Sequence, residues 1–139
     1  AVKRFFDTSA LAKRYVNESG SERIGEILQN TSQLAISILA ITEMISALNR
    51  LRRSNKLNRN DYLEIKDCFF TEIEDFVVWE IDYEVIGVAN QLLEKTRGKS
   101  LDALHLGCAL KATPDQFVTA DQRQHQMADP TDLNSILIQ

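Results

Sequence analysis

The stretch from Val2 to Val16, VKRFFDTSALAKRYV, predicts a buried strand that runs directly into a helix. Val2 to Phe6 is short and ends in two aromatic residues, as is typical of a strand inside a sheet. Asp7 follows it, and Ser9 to Val16 has the composition of a short helix. This junction predicts the first unit of an alternating chain, with an acid at the carboxyl end of its first strand.

The alternation of strand and helix patterns continues through the chain. We predict later strands at Leu34 to Ile38, Phe76 to Ile81, Gln116 to Thr119 and, as a fifth, Leu133 to Ile138. We predict later helices at Ser21 to Asn30, Leu39 to Arg53, a segment capped by Asn58, Asp82 to Lys95, and Leu101 to Ala112 capped by Ser100. Strands separated by helices indicate an α/β fold in three layers, with a central, mostly parallel sheet of four to five strands flanked by helices.

Length and composition are those of one globular domain over residues 1–139, with 44% apolar residues. No stretch approaches the ~20 apolar residues that span a bilayer, and the start is charged too early for a signal peptide. Cys68 and Cys108 lie in predicted helices without a paired motif, so we expect free core thiols and no zinc site. We therefore expect a cytoplasmic protein that does not bind membranes.

The net charge of −4 argues against a basic protein that coats nucleic acid. It does not exclude a nuclease, because a bound divalent cation reverses the local charge. The basic residues are clustered: one run holds Arg50, Arg52, Arg53, Lys56 and Arg59, and Arg97 with Lys99 form a smaller cluster. The run falls at the tip of a predicted helical hairpin. Its arginines either contact a nucleic-acid backbone, with Arg50, Arg52 and Arg53 as candidates, or are simply solvated.

Acidic residues follow the predicted strands. Asp7 ends the first strand, Glu43 lies early in the helix after the second, Asp102 lies in the first turn of the apolar helix, and Asp121 follows the fourth strand. In open α/β sheets, ligands bind beyond the carboxyl ends of the strands. Ser9 and Thr119 flank these acids and are suited to hold water or phosphate beside them.

Each acid also has a structural interpretation. Asp7 and Asp102 suit helix N-termini, Asp121 suits a turn, and Glu43 can pair with Arg50. Taken together, however, converging carboxylates cannot all remain ionised without a cation. Oxygen ligands without thiols select Mg²⁺ or Mn²⁺, as one ion or two, and such a site suits phosphodiester hydrolysis.

Four motifs, in order, resemble one known family. These are Phe6-Asp7-Thr8-Ser9-Ala10-Leu11-Ala12-Lys13-Arg14-Tyr15, Ile41-Thr42-Glu43-Met44, Leu101-Asp102-Ala103-Leu104-His105-Leu106 and Phe117-Val118-Thr119-Ala120-Asp121. They are similar to the acidic motifs of PIN-domain toxins of the VapC type, and the resemblance covers essentially the whole chain.

The resemblance implies a PIN-like fold and a Mg²⁺- or Mn²⁺-dependent endoribonuclease that acts as the toxin of a toxin–antitoxin pair. It implies that Asp7, Glu43, Asp102 and Asp121 are the catalytic, metal-binding acids. Ser9 and Thr119 would support them. It further implies a homodimer, an RNA substrate and a small cognate antitoxin. The segment Gln122 to Gln126 departs from the family pattern in its richness in glutamine.

Other functions remain open at this point. An aspartate-nucleophile phosphatase would need a second acid at the position of Ser9, and a phosphorylation-receiver domain would need paired acids and a late lysine. A PIN fold kept as an RNA- or partner-binding module, and a housekeeping PIN nuclease in RNA processing, also fit the motifs. His105 is interpreted either as a partner of Asp102 or as a structural polar residue, and we favour the second.

Overall fold

The computed structural model describes residues 1–139, which form five strands and seven helices. The strands are β1 (Lys3–Phe6), β2 (Gln33–Ser37), β3 (Val77–Trp79), β4 (Gln116–Thr119) and β5 (Ser135–Leu137). The helices are α1 (Thr8–Tyr15), α2 (Ser21–Gln29), α3 (Leu39–Arg53), α4 (Arg59–Ile73), α5 (Tyr83–Lys95), α6 (Ser100–Ala112) and α7 (Gln122–Ala128). The predicted alternation is confirmed, and only α7 was not foreseen.

The strands form one sheet in the order β3-β2-β1-β4-β5, and all neighbouring strands are parallel. The chain builds outward from β1 through β2 to β3, and then crosses to the other side of β1 for β4 and β5. The order therefore reverses between β1 and β4, where Phe6 pairs with Val118. At such a switch point the two adjacent connections leave on opposite faces and open a crevice at the carboxyl edge.

Consecutive strand residues face opposite sides of the sheet, and this produces two cores. Phe6 and Val118 contact the core formed with α1 to α4, whereas Phe5 and Phe117 contact the core formed with α5 to α7. Phe5 and Phe117 stack with their ring centroids 6.0 Å apart. Both faces of the sheet are covered, so the predicted three-layer fold is confirmed.

Helix termini explain where several elements begin. The side chains of Asn58 and Asp82 accept hydrogen bonds from backbone N–H groups three residues later and so cap α4 and α5. The prediction that Ser100 caps the following helix was wrong, because α6 begins at Ser100 and Lys99 occupies the cap without a side-chain bond. Cys108 is buried as expected, but Cys68 is exposed, so it is not a core thiol.

Helix α6 lies deep in the second core and packs closely against α5. A Cβ added at Gly107 would lie 2.9 Å from the backbone oxygen of Val85, so only glycine fits there without a shift. This packing fixes the position of α6, which carries Asp102 and His105 at its N-terminal end. None of the helices combines the length and the apolarity that crossing a membrane requires.

Candidate active site

A pocket of about 410 Å³ opens at the carboxyl edge of the sheet, beside the switch point between β1 and β4. The structure brings the four predicted acids together here, since all of them line the pocket: Asp7, Glu43, Asp102 and Asp121. Ser9 and His105 line it as well. Four separate segments of the chain supply the acids: the β1–α1 connection, the first turns of α3, the first turn of α6 and the β4–α7 connection.

Asp7 is the most buried of these acids, with 5% of its surface exposed. Its side chain caps α1 by accepting from the Ala10 N–H, and it also accepts from the hydroxyls of Ser9 and Thr119. Burial raises the pKa of Asp7 above its ordinary value, although these hydrogen bonds oppose the rise. The structural interpretation of Asp7 as a helix cap is confirmed, and the capping bond itself uses only the Oδ1 atom of the carboxylate.

Ser9 and Thr119 connect the start of α1 to the end of β4 through their hydroxyls; Ser9 lines the pocket, whereas Thr119 is fully buried and does not. The Ser9 hydroxyl accepts from the Ala120 N–H at 2.9 Å, and the Thr119 hydroxyl accepts from the Asp121 N–H at 3.0 Å. Both hydroxyls donate to Asp7. They therefore hold Asp7 in place and define the path of the backbone into Asp121.

Glu43 is held by two residues from other helices. Its Oε1 accepts a hydrogen bond from the Thr8 hydroxyl at 2.6 Å and contacts His105 Nε2. Burial would raise the pKa of Glu43, but the hydrogen bond and charge of His105, with help from Thr8, leave this pKa lowered. The partner of His105 is thus Glu43 rather than Asp102, since the imidazole points across to α3.

Asp102 and Asp121 both line the pocket, and their charges interact. Burial raises the pKa of Asp102, and the negative charges of Asp121 and Glu43 raise it further. Asp121 caps α7, its Oδ1 accepting from the Arg123 and Gln124 N–H groups. Gln124 in turn donates from its side chain to the Asp102 carbonyl, so the two acidic segments are joined directly.

The three candidate RNA-binding arginines are separated by the fold. Arg50 lines the acidic pocket, where it donates to Ser46 and forms no ion pair with Glu43. Arg52 lies over the Tyr62 ring, 5.2 Å from its centroid, and Arg53 is exposed near the tip of the α3–α4 hairpin. Only Arg50 is placed next to the acids.

The acids suit a hard divalent cation by their chemistry. No group of three or more His, Cys, Asp or Glu side chains is arranged closely enough to hold a metal ion. Their carboxylates instead accept hydrogen bonds from the chain, as Asp7 and Glu43 do. The carboxylates nevertheless face one pocket, and the pKa of Asp102 is raised by burial and by repulsion from Asp121. A hard divalent cation would relieve that repulsion, and the oxygen donors suit one by their chemistry, but the carboxylates would have to approach one another more closely to hold it.

Sequence reasoning missed Thr8 and Gln124 as contributors to this site, and it considered His105 but not its contact with Glu43. Thr8 reaches Glu43 across 35 residues, and His105 reaches the same carboxylate across 62. No local pattern signals either contact. Gln124 offered a signal, because it shares a helical face with Met127 and Ala128, and all three are buried.

Proteins with an open, parallel α/β sheet bind their ligands at the carboxyl edge of the strands, beside the switch point. The acidic pocket of this chain lies at that place. The chain matches the PIN domain over residues 4–130, and it belongs to the PIN-domain family. The PIN-domain part of the resemblance seen in the four sequence motifs is thereby confirmed. No curated protein matches the chain.

Solved structures of toxin–antitoxin proteins share this fold. The chain is similar to DNA-bound VapBC from Salmonella typhimurium, with 16% identity, 98% of each chain covered and a TM-score of 0.69. It is also similar to a toxin–antitoxin complex from Klebsiella pneumoniae (15% identity, 88% of this chain and 89% of that one, TM-score 0.68). A third similar structure is VapC20 of Mycobacterium tuberculosis, a toxin that cleaves the sarcin–ricin loop. It has 14% identity, with 88% of this chain and 92% of that one covered and a TM-score of 0.67. At such low sequence identity, these structures show that the chain shares their fold.

Proposed function

We propose that this protein is a Mg²⁺- or Mn²⁺-dependent endoribonuclease that acts as the toxin of a toxin–antitoxin pair in the cytoplasm. One observation carries the proposal: a single pocket is lined by four acids from four separate segments of the chain, Asp7, Glu43, Asp102 and Asp121. Membership of the PIN family supports it. So does the similarity in fold to VapC20, a toxin that cleaves the sarcin–ricin loop.

The chain's own residues would act mainly by positioning. Asp7, Glu43, Asp102 and Asp121 would hold one or two cations. Ser9 and Thr119 would keep the Asp7 carboxylate in place. When bound, the cation lowers the pKa of an attacking water and neutralises charge on the scissile phosphate. Because the carboxylates repel RNA by themselves, hydrolysis would depend strictly on the cation.

Partners of the similar structures support the assignment as a toxin. The Klebsiella pneumoniae structure is a toxin–antitoxin complex, and the Salmonella typhimurium VapBC structure contains DNA. We propose that this chain likewise has a small cognate antitoxin, and that it forms a homodimer. RNA would be the substrate of the nuclease itself.

The nuclease is tested by incubating the purified chain with total bacterial RNA and Mg²⁺ or Mn²⁺, and then mapping new 5′ ends. Asp7→Asn and a chelator should each abolish discrete cuts. Asp67→Asn is the matched control, because Asp67 is exposed on α4 and makes no hydrogen bond, so this variant should cleave like the wild type. Equal patterns from the wild type and Asp7→Asn would instead indicate a PIN module that binds without cleaving.

The role as a toxin needs a separate experiment in cells. Induction of the wild-type gene should arrest growth, and co-expression of the adjacent gene should relieve the arrest. Induction of the Asp7→Asn variant should have no effect. RNA cleavage in vitro without any growth effect would identify a housekeeping nuclease of RNA processing rather than a toxin.

A further inference from the structure

A second pocket, of about 510 Å³, lies between the α5–α6 connection and α7. Its lining is basic and contains no acidic residue; it includes Lys95, Thr96, Arg97, Gly98, Arg123 and Met127. Glu94 and Asp129 are neighbours in sequence, but neither lines it. In a chain with a net charge of −4, this is a local concentration of positive charge in a concave surface. We call it the basic pocket.

The cations of the basic pocket have no partners within the protein. The side chains of Lys95, Arg97 and Arg123 are exposed, and none of them makes a hydrogen bond, an ion pair or an aromatic contact. Many other basic side chains are engaged, as Arg14 is with Glu72 and Lys111 with Asp82. Three unpaired cations that share one concavity repel one another, and an anionic ligand would offset that repulsion.

Close packing keeps the basic pocket in shape. Gly98 lies directly against Met127 of α7, since a Cβ at position 98 would fall 1.2 Å from the Met127 Cε. Met127 itself is buried, with 2% of its surface exposed. The α5–α6 connection, which carries Arg97, therefore packs against α7, which carries Arg123. Both arginines line the same pocket.

The two segments that line the basic pocket lie directly beside two of the acids, Asp102 and Asp121. Arg123 lies two residues after Asp121, and its N–H donates to the Asp121 carboxylate at 2.8 Å. On the other side, Arg97 precedes α6, and the carbonyl of Lys99 accepts from the Ala103 N–H beside Asp102. An RNA strand that places one phosphate among the acids would therefore run next to Arg97 and Arg123.

We propose that the basic pocket binds backbone phosphates of the RNA strand, next to the phosphate held at the acidic pocket. The inference rests on the proposed ribonuclease function. Without a cation the four carboxylates of the acidic pocket repel RNA, so contacts outside that pocket would strengthen binding. Contacts to phosphate carry no sequence information, and the basic pocket would therefore set affinity and register but not base preference.

The test measures binding of a fluorescein-labelled oligouridylate by anisotropy, in the Asp7→Asn background and across a series of salt concentrations. The pocket variant is Arg97→Gln with Arg123→Gln. The matched control is Lys3→Gln with Arg23→Gln, which removes the same charge: Lys3 begins β1 at the opposite edge of the sheet, and Arg23 is exposed on α2. Circular dichroism would verify that both variants fold.

The pocket variant should bind roughly tenfold more weakly at low salt. The slope of log K against log salt should become shallower by about 0.7 for each phosphate that the protein no longer neutralises. The control should bind like its parent. In a background with an intact Asp7, the pocket variant should raise KM and leave kcat nearly unchanged.

Other outcomes would overturn the proposal. Equal RNA affinity and salt slope in the pocket and control variants would remove the basic pocket from RNA binding, while cleavage by the wild type kept the ribonuclease function intact. If the pocket variant bound RNA as before but no longer bound polyglutamate, the basic pocket would be a site for an acidic protein segment instead. Failure of the wild type both to cleave and to bind RNA would refute the proposed function, and the phosphate-binding role of the basic pocket with it.

Discussion

The side chain of Gln124 donates a hydrogen bond from Nε2 to the backbone carbonyl of Asp102, at 3.2 Å. Gln124 is almost fully buried, with 1% of its surface exposed. The bond joins α7, which begins after Asp121, to the first turn of α6. Two acids that are far apart in sequence are therefore held in a fixed relation by a neutral residue whose side-chain amide touches neither carboxylate.

Replacement of Gln124 by alanine should lower the free energy of unfolding by about 1–3 kcal/mol, because it removes a buried hydrogen bond and leaves a void. Cleavage of RNA should also decrease, since Asp121 and Asp102 lose their common support. Chemical denaturation and initial cleavage rates measure the two effects. Gln122→Ala, at an exposed position of the same helix, should change stability by no more than ~0.5 kcal/mol. Equal behaviour of the two variants would show that the Gln124 bond is dispensable.

Asp7→Asn should stabilise the metal-free protein at neutral pH, because burial raises the pKa of Asp7 and so makes its ionised form costly. For a group with a raised folded-state pKa, this cost disappears as the pH falls toward the ordinary value of 3.8. The difference in Tm between the variant and the wild type should therefore shrink on acidification. Thermal unfolding in chelator at several pH values measures it.

Added Mg²⁺ should reverse the order of stability. The cation binds the folded wild type and stabilises it by mass action, whereas Asp7→Asn loses one of the proposed ligands. Asp67→Asn serves as the control and should follow the wild type under both conditions. A difference in Tm that is independent of both pH and Mg²⁺ would contradict the assigned burial cost and the proposed metal site alike.

Gly107→Ala should destabilise the protein by about 1–3 kcal/mol, because the new Cβ meets the Val85 carbonyl of α5 at 2.9 Å. The matched control is Gly87→Ala in α5, where nothing lies within 4 Å of the added Cβ. There alanine should stabilise by up to ~1 kcal/mol through its higher helix propensity. Urea unfolding of both variants gives the comparison, and a Gly107→Ala protein as stable as the wild type would mean that α6 moves freely against α5.

The ion pair of Arg14 and Glu72 should contribute modestly to stability. Arg14 donates through Nε and Nη2 to the two carboxylate oxygens, at 3.0 and 2.6 Å, and this joins α1 to α4. Because both side chains are partly exposed, Glu72→Gln should lower the free energy of unfolding by only about 1 kcal/mol, and by less at high salt.

The pH dependence of this pair has the opposite sign to that of Asp7. Hydrogen bonding to Arg14 lowers the pKa of Glu72 below its ordinary value of 4.5. Its contribution is thus present above that value and is lost as the pH falls through the lowered pKa. The stability difference between the wild type and Glu72→Gln should vanish in acid. Glu64→Gln, at an exposed position on α4, is the control, and a difference that persisted in acid would exclude this linkage.

The sequence by itself determined the alternation of strands and helices and the positions of the acids along it. Both are local patterns: two phenylalanines before Asp7 indicate a strand end, and the apolar periodicity from Leu39 to Arg53 indicates a helix. Parallel strands place their carboxyl ends at one edge, so the acids were predictable as neighbours. Helix α7 was missed because its three glutamines do not form an apolar stripe.

Only the tertiary structure decided which groups hold the acids in place. His105 contacts Glu43 rather than Asp102, and Thr8 reaches the same carboxylate. The basic pocket, too, exists only where Gly98 meets Met127. Such contacts depend on how closely separate helices approach one another, either on one face of the sheet or, as for His105 and Glu43, from its two faces. That distance is set by the packing of the whole core, and no window of sequence contains it.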